Sequence, residues 1–330
     1  SRQMLLSSMV LCDKPFMGCP ESRQGARDTL AMAALLWGGS KRFAHAGTVS
    51  VSLISSQSPL QFHGDMTGAL IELAGAGQAC VIDSLVMAGS SGPVTLAGAL
   101  TLQNAEILAG VVLAQLIRPG VPVVYGGIST AMEMRTGGLS VGGPELSQMV
   151  AATAQLARLY GLPCRSGGSL TDAHVADAQA AGESALALSA AVRSGVDFIL
   201  DAAGILGAYM AMSYEKFLMD EEMCGLLRRL TIPMEISDEA IDVKMMAEVG
   251  IGGQYLTHPK TLQRCRTEFY RTNLFGRLNH AGWRLAGARR IEKTAVQQLD
   301  ARLAAYEKPE IDPDVEAALR DYALNGSRGA

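Results

Sequence analysis

The sequence predicts an α/β protein with parallel strands, and two observations lead to that fold class. Short apolar runs alternate with longer Ala- and Leu-rich segments whose apolar residues recur at helical spacing, which is the pattern of repeated strand–helix units. The 330 residues are 48% hydrophobic and 18% charged, enough to bury a large core within one barrel-sized domain. We therefore expect a sheet of parallel strands connected by helices.

Strands are predicted at six short apolar runs. They are residues 4–11, 49–55, 79–83, 121–125, 162–166 and 197–201. A closed barrel needs eight parallel strands, whereas an open doubly wound sheet accepts six, so the strand count leaves both architectures open. The pairs Gly126-Gly127 and Gly167-Gly168 each follow a strand and are candidate cofactor contacts, although turns use glycine in any case.

Helices are predicted between the strands and, after residue 231, without intervening strands. The first group is near residues 22–37, 64–76, 95–117, 144–160, 175–194 and 215–230, and the second is near 238–249, 258–272, 288–307 and 313–323. The last helix begins with Asp312 as cap and Pro313 at its first position. We expect a barrel domain over residues 1–284 and a C-terminal helical extension, packed on it, over 285–330.

Composition and charge exclude several classes of function. The formal net charge is −4 and the basic residues are scattered singly, so nucleic acid is not an expected partner. The six cysteines include no CxxC pair, so we expect neither a disulfide framework nor a metal site, and a reducing, cytoplasmic location. Apolar stretches are interrupted before the roughly 18 residues that a membrane span needs, so no membrane contact is expected.

Several motifs, spread in order along the chain, carry a resemblance to a known family. They are residues 93–100, 103–110, 122–126, 177–180 with Glu183, 202–206, 213–217, and 257–259 with Thr261, Leu262 and Arg266. The sequence resembles the trimethylamine methyltransferase family in these motifs. The resemblance implies a TIM (β/α)8-type barrel. Because family chains extend further at the N-terminus, it also implies that the two remaining strands precede this sequence, which would lack the N-terminal part of the barrel.

The resemblance also implies a substrate class. Family members acting on trimethylamine carry pyrrolysine, whereas relatives without it, including glycine betaine methyltransferases, are associated with quaternary amines. This sequence contains only standard residues, and the pyrrolysine position falls at or near Asp201. The implied reaction moves a methyl group from a quaternary amine to the Co(I) of a separate corrinoid protein. No tightly bound cofactor is expected in this chain, which would mainly orient the amine.

Candidate site residues are aromatic or acidic, because a methylammonium group is held by aromatic faces and by carboxylates. Asp201 is the candidate catalytic residue, since it ends an apolar strand at the edge where barrel chemistry gathers. Candidate substrate-binding residues are Asp83, Tyr125, Glu133, Asp172, His174, Tyr209 and His258.

Most of these candidates also have a purely structural interpretation. Asp83 and Asp172 could cap turns or helices, and Tyr125 could belong to the core with its hydroxyl satisfied. Glu133 could pair with a surface base such as Arg135. His258 is more typical of a helix cap, and only its place in a family motif keeps it a candidate.

Three functions remain in competition at this point. Besides the corrinoid-dependent methyltransferase, the chain could be a barrel lyase or aldolase using a strand-end lysine, for which only Lys14 is near a strand end. It could also be a relative that binds a betaine or the corrinoid protein without turnover. The Gly-rich segment 137–145 could bind an anion or form a plain turn or lid. Ala-rich helices leave a homo-oligomer possible.

Overall fold

The structure is a computed structural model that describes residues 2–326. Its helices are α1 (Arg2–Leu11), α2 (Arg23–Leu36), α3 (Ser40–Ala46), α4 (Gly64–Gly75), α5 (Leu96–Ile117), α6 (Pro144–Leu159), α7 (Ala178–Arg193), α8 (Tyr214–Thr231), α9 (Asp238–Ile241), α10 (Val243–Val249), α11 (Pro259–Arg264), α12 (His280–Leu285), α13 (Ile291–Ala304) and α14 (Pro313–Asn325). Its strands are β1 (Met17–Gly18), β2 (Val51–Ser55), β3 (Ala79–Ser84), β4 (Met87–Ala88), β5 (Val123–Gly127), β6 (Thr130–Glu133), β7 (Gly138–Ser140), β8 (Cys164–Arg165), β9 (Ile205–Leu206) and β10 (Ala211–Met212).

A five-stranded parallel sheet forms the centre of the protein. Its order is β1-β2-β3-β5-β8, so its strands are neighbours in the order in which the chain makes them. Two small sheets, β4-β6-β7 and β10-β9, are built from the loops around it. The α/β class with parallel strands is confirmed. The strand order is consistent with a barrel-like fold, but the sheet formed by residues 2–326 does not close.

The prediction of a first strand over residues 4–11 is wrong, because this segment is helix α1. Its buried residues are Leu5, Leu6, Met9 and Val10, which lie on one face of a helix and pack in a cluster with α2 and α14. An apolar run of this length fits a strand or a buried helix equally well. The first place in the sheet belongs instead to β1, which the sequence analysis missed.

The strand predicted over residues 197–201 is reduced to a single parallel bridge between Arg165 and Phe198. Phe198 donates its N–H to Cys164 O at 2.9 Å, and the Asp197 carboxylate accepts from Cys164 N at 2.8 Å. The segment therefore runs beside β8 but leaves it early. This departure places Asp201 in a turn beyond the sheet.

The main core lies between the sheet and the helices α4, α5 and α6. Ile54, Ile82 and Tyr125 point from the strands into this layer, where they meet Leu70 and Ile107. Full burial of a large aliphatic side chain contributes roughly 1.5–3 kcal/mol, so this layer holds the sheet and helices together. Helix α5 alone in the described chain has the length and hydropathy of a membrane span, and it packs on β3 and β5.

The last two helices pack on helices that come earlier in the chain. Helix α14 packs on α1 and α2, and α13 packs on α8. The helix predicted over 238–249 is interrupted at Asp242, which has φ of +49° and caps α10. The prediction over 258–272 was too long, because α11 ends at Arg264.

Candidate active site

The carboxyl ends of three neighbouring strands place one charged pair on the sheet face opposite the helices. The register aligns Asp83 of β3 with Gly126 of β5, and Gly126 with Arg165 of β8. Since alternate residues of a strand point to opposite faces, these three share the face that Ile82 and Tyr125 do not. A Cβ at Gly126 would lie 3.0 Å from Asp83 Oδ1 and 2.8 Å from Ile82 O. Glycine at this position leaves space for Arg165 to reach across to Asp83.

An arginine–carboxylate cluster, defined as Asp83, Arg165 and Asp201, occupies this face. Arg165 Nη1 donates to Asp83 Oδ1 at 2.8 Å, and Arg165 Nη2 is 3.5 Å from Asp201 Oδ2. The side chains of Arg165 and Asp83 are 4% and 7% exposed, whereas that of Asp201 is 29% exposed. Asp201 is therefore the member of the cluster that a solute can reach.

The backbone around Asp201 is strained. Asp201 has φ of +57°, a conformation that non-glycine residues seldom adopt. Its carbonyl accepts from Ser169 N at 3.0 Å, and Gly168 approaches so closely that a Cβ there would lie 2.7 Å from Leu200 O. Strain of this kind persists only where surrounding contacts impose it, and it is frequent at functional sites.

A buried ion pair from α8 holds both sides of this turn. Lys216 Nζ donates to Asp220 Oδ2 at 2.6 Å and to Ser169 O at 3.0 Å. The same Asp220 oxygen accepts from Gly204 N at 2.8 Å. Burial lowers the pKa of Lys216 and raises that of Asp220, while the attraction of each for the other opposes both shifts. The pair thus fixes the peptides that flank Asp201.

Tyr209 completes the surroundings of the cluster. Its hydroxyl is buried and, like Arg165 Nε, has no hydrogen-bond partner among residues 2–326. Burial raises the pKa of Tyr209; the Arg165 charge opposes this increase, and the charges of Asp201 and Asp83 add to it. Ala208 and Tyr209 have φ of +50° and +74°, so this segment is strained as well.

The electrostatics of the cluster favour a bound cation. Two carboxylates and one guanidinium give a charge of −1 when both carboxylates are ionised. Burial raises the pKa of Asp201, Arg165 lowers it, and the negative Asp83 raises it further. A cation beside Asp201 would compensate the charge that burial disfavours. No group of three or more His, Cys, Asp or Glu residues is placed to hold a metal ion within residues 2–326.

Tyr125 and Glu133 lie in other surroundings. Tyr125 is fully buried on the helix face, where its hydroxyl donates to Asn104 Oδ1 at 2.8 Å. One position along a strand reverses the face, so Tyr125 points away from the cluster, whereas its neighbour Gly126 adjoins it. The Glu133 carboxylate is 43% exposed and pairs with Arg135 at 3.1 Å. The structure brings neither side chain to the cluster.

The contacts of Asp172, His174 and His258 are with residues outside the arginine–carboxylate cluster. Asp172 accepts from Ser140 Oγ at 3.0 Å and Val141 N at 2.7 Å, so it holds the Gly-rich segment 137–145 in place. His174 is exposed and lines a cavity of about 720 Å³ that α13 closes on its other side. His258 caps α11 and contacts Glu248 at 3.2 Å.

The four candidate glycines divide into two pairs. Gly126 and Gly168 adjoin the arginine–carboxylate cluster, as described above. Gly127 faces Gln103 of α5, whose Nε2 would lie 2.5 Å from a Cβ there. Gly167 faces α7, where Ala191 Cβ would be equally close. The second pair thus allows helices to pack tightly against the sheet.

Arg165 and the role of Lys216 were not predicted from the sequence. Arg165 occurs within an otherwise apolar predicted strand, residues 162–166, and an arginine there requires a buried carboxylate partner. That signal was present, but its partner Asp83 is 82 positions away and only the strand register identifies it. Lys216 and Asp220 have the spacing of one helical turn, which indicates an ion pair but not its burial.

Comparison with known proteins identifies the family. The family model for trimethylamine methyltransferase matches residues 2–327. The chain is 45% identical to a glycine betaine methyltransferase from Desulfitobacterium hafniense strain Y51 over 324 residues, covering 97% of this chain and 66% of the relative.

Two further relatives are more distant. A proline betaine:corrinoid methyltransferase from Eubacterium limosum is 36% identical over 80% of this chain and 55% of its own length. A trimethylamine methyltransferase from Methanosarcina barkeri strain Fusaro is 33% identical over 89% of this chain and 59% of its own length. The chain thus spans between half and two thirds of the length of these curated relatives. It belongs to the trimethylamine methyltransferase family, as the sequence motifs predicted.

Proposed function

We propose that this member of the trimethylamine methyltransferase family is part of an enzyme that transfers a methyl group from a quaternary amine, such as glycine betaine, to the Co(I) of a partner corrinoid protein. The observation that carries the proposal is the arginine–carboxylate cluster at the carboxyl ends of the strands. It combines a net negative charge with one accessible carboxylate, Asp201, in a chain whose relatives include two named for betaines.

Methyl transfer from a quaternary amine requires the protein mainly to bind and orient the substrate. The methyl carbon forms a bond to the cobalt of the partner as its bond to nitrogen breaks, and the electron pair of that bond leaves with the amine. A quaternary ammonium departs as a neutral tertiary amine and needs no proton. The positive charge that Asp201 attracts is present before transfer and is lost from the amine afterwards. Asp201 thus binds the substrate, orients the methyl group and favours release of the product.

The alternative of a lyase or aldolase, in which a lysine amine would form a Schiff base with the substrate, has less support in the structure. Lys216 is 2% exposed and donates to Asp220 and to the Ser169 carbonyl, so its amine is occupied. Lys14 is 75% exposed on the surface and pairs with Asp13. Neither lysine lies in the arginine–carboxylate cluster. The other alternative, a protein that binds a betaine without turnover, would use the same residues as the proposed reaction, so only an activity assay separates the two.

The proposal extends to architecture and partners. We propose that in the full-length protein the parallel sheet is part of a closed barrel, comprising residues 1–284 here, with residues 285–330 as a helical extension. The corrinoid protein then approaches the carboxyl ends of the strands, where Asp201 is partly exposed. A cytoplasmic location fits chemistry that depends on Co(I), a strongly reduced state. Association of several copies remains compatible with this arrangement.

A methyl-transfer assay tests the proposed function. The full-length protein is mixed with its Co(I) corrinoid protein and one amine, and methyl-Co(III) is followed by absorbance. We expect methyl-Co(III) with glycine betaine but not with trimethylamine. Binding of betaine without methyl transfer, using a corrinoid protein shown to be competent with another methyltransferase, would contradict catalysis and leave a binding role. As a control, Glu133→Gln should form methyl-Co(III) at the wild-type rate, because Glu133 lies in a surface ion pair outside the cluster.

A further inference from the structure

Several buried donors near Asp201 lack acceptors among residues 2–326, and two of them are Arg165 Nε and the Tyr209 hydroxyl. Arg165 is 3% exposed, and its Nη atoms face Asp83 and Asp201, but its Nε has no acceptor among residues 2–326. The Tyr209 hydroxyl is also buried and has no hydrogen-bond partner among residues 2–326. It is close enough to Arg165 for the two to influence each other electrostatically. Buried donors without acceptors are rare in folded proteins, because each loses its hydration without replacement.

The strain in this segment points in the same direction. Tyr209 and the preceding Ala208 both adopt the left-handed conformation, and both pack against an apolar cluster that includes Leu170. The strained segment thus carries a buried hydroxyl that has no partner among residues 2–326, and that hydroxyl gains nothing for the fold alone. Such an arrangement is typical of a site that is completed by a ligand.

We propose that Arg165 and Tyr209 receive a carboxylate of the substrate while Asp201 receives its ammonium group. This inference rests on the proposed function and deepens it by defining the substrate as a short zwitterion. In an α-ammonio carboxylate one carbon separates the two charged groups, so both must be met within a few ångströms. Arg165 Nη2 and Asp201 Oδ2 are 3.5 Å apart, so a positive and a negative partner lie side by side at this spacing.

The consequence is a ranking of quaternary amines. Glycine betaine and proline betaine carry both groups, whereas choline and tetramethylammonium carry the cation without a carboxylate. The latter two satisfy Asp201 but leave the Tyr209 hydroxyl and Arg165 Nε unpaired. A site built to hydrogen-bond a substrate oxygen discriminates strongly against an analogue that lacks it.

Paired tyrosine variants test the inference by calorimetric titration of the full-length protein. We expect Tyr209→Phe to weaken glycine betaine binding by about tenfold and to leave choline binding unchanged, since a hydrogen bond to a charged group is lost only with betaine. Tyr125→Phe is the matched control. Its hydroxyl is also buried but donates to Asn104 on the helix face, so binding of both amines should be unchanged. Urea unfolding of each variant reports whether the fold is retained.

The outcomes separate this inference from the proposed function. Betaine binding that is equal in the wild-type protein and Tyr209→Phe overturns the inference alone, as does an equal loss for betaine and choline. Failure of the wild-type protein to bind any quaternary amine overturns the proposed function together with the inference. If Tyr209→Phe does not fold, the affinities of the wild-type protein for glycine betaine and choline test the inference instead. Equal affinity for the two amines is incompatible with a carboxylate subsite.

Discussion

The two faces of the central sheet are both largely buried, but one is mainly apolar and the other carries charged side chains. On the helix face, Ile82 and Tyr125 lie among apolar side chains, and the Tyr125 hydroxyl donates to Asn104. On the opposite face, Asp83 and Arg165 form an ion pair, while Arg165 Nε lacks an acceptor in the described chain. The strands supply both faces from adjacent residues, so the pleat alone separates core from site.

The difference shows that burial alone does not distinguish structure from function, and that the site face differs by its buried charges beside one accessible carboxylate. A core polar group that has its partner contributes to stability and has no capacity left for a ligand. Buried charges with unused donors and one accessible carboxylate retain that capacity. Substitutions on the helix face should therefore change stability alone, and substitutions at the cluster should change the binding of amines.

The largest expected effect is that of Arg165→Met. It removes the partner of a buried Asp83 carboxylate, and loss of one member of a buried ion pair costs about 3–5 kcal/mol of unfolding free energy. Urea unfolding measures this loss in the full-length protein. Arg135→Met is the control, because Arg135 is 89% exposed beside Glu133 and should leave the midpoint unchanged. Equal midpoints for the two variants would show that the Asp83–Arg165 pair does not support the fold.

Asp201→Asn should act on binding rather than on stability. It removes the accessible negative charge, so the affinity for glycine betaine should fall by at least about tenfold, or ~1.4 kcal/mol. The midpoint of urea unfolding should stay the same or increase, since burial already disfavours the ionised carboxylate. Calorimetric titration gives the affinity. An unchanged affinity would remove Asp201 from the amine site.

The pH dependence of binding follows from the pKa of Asp201, which burial raises above its ordinary value of 3.8. The cation binds the ionised carboxylate, so protons compete with it, and affinity should decrease as pH falls through this raised pKa. The fully ionised site above that pKa should show constant affinity. Because amide side chains do not titrate here, Asp201→Asn should show a flat profile. A wild-type profile that is also flat would locate the cation elsewhere.

The smallest expected effect lies on the helix face. Ile82→Val removes one methylene from a fully buried side chain and should cost about 0.5–1.5 kcal/mol of unfolding free energy. Amine affinity should be the same as in the wild-type protein. Urea unfolding and titration of one preparation give both values. A change in affinity as large as that of Asp201→Asn would mean that the two faces are coupled rather than independent.

The sequence predicted the strand–helix alternation well because its signals are local. Glycine and proline stops and apolar periodicity identified β2, β3, β5 and the long helices within a few residues. The prediction of a strand over residues 4–11 was wrong, because an apolar run of that length does not distinguish a strand from a helix that is buried on one side. Only contacts with α2 and α14, distant in sequence, decide between them.

The candidate site was predictable only in part. Asp83, Asp201 and Tyr209 were named from their positions at or beyond strand ends, and the structure brings them together around Arg165. Tyr125 was placed in the site because spacing along a strand does not reveal which face a residue occupies unless the register is known. Arg165 was missed because its partners lie in other strands and turns, at separations that periodicity does not cover.

A crystal structure of the full-length protein with glycine betaine would show where the substrate binds. We expect electron density for the ammonium group beside Asp201 and for the carboxylate near Arg165 and Tyr209. Ordered betaine in the cavity lined by His174 and α13, with none at the arginine–carboxylate cluster, would contradict it.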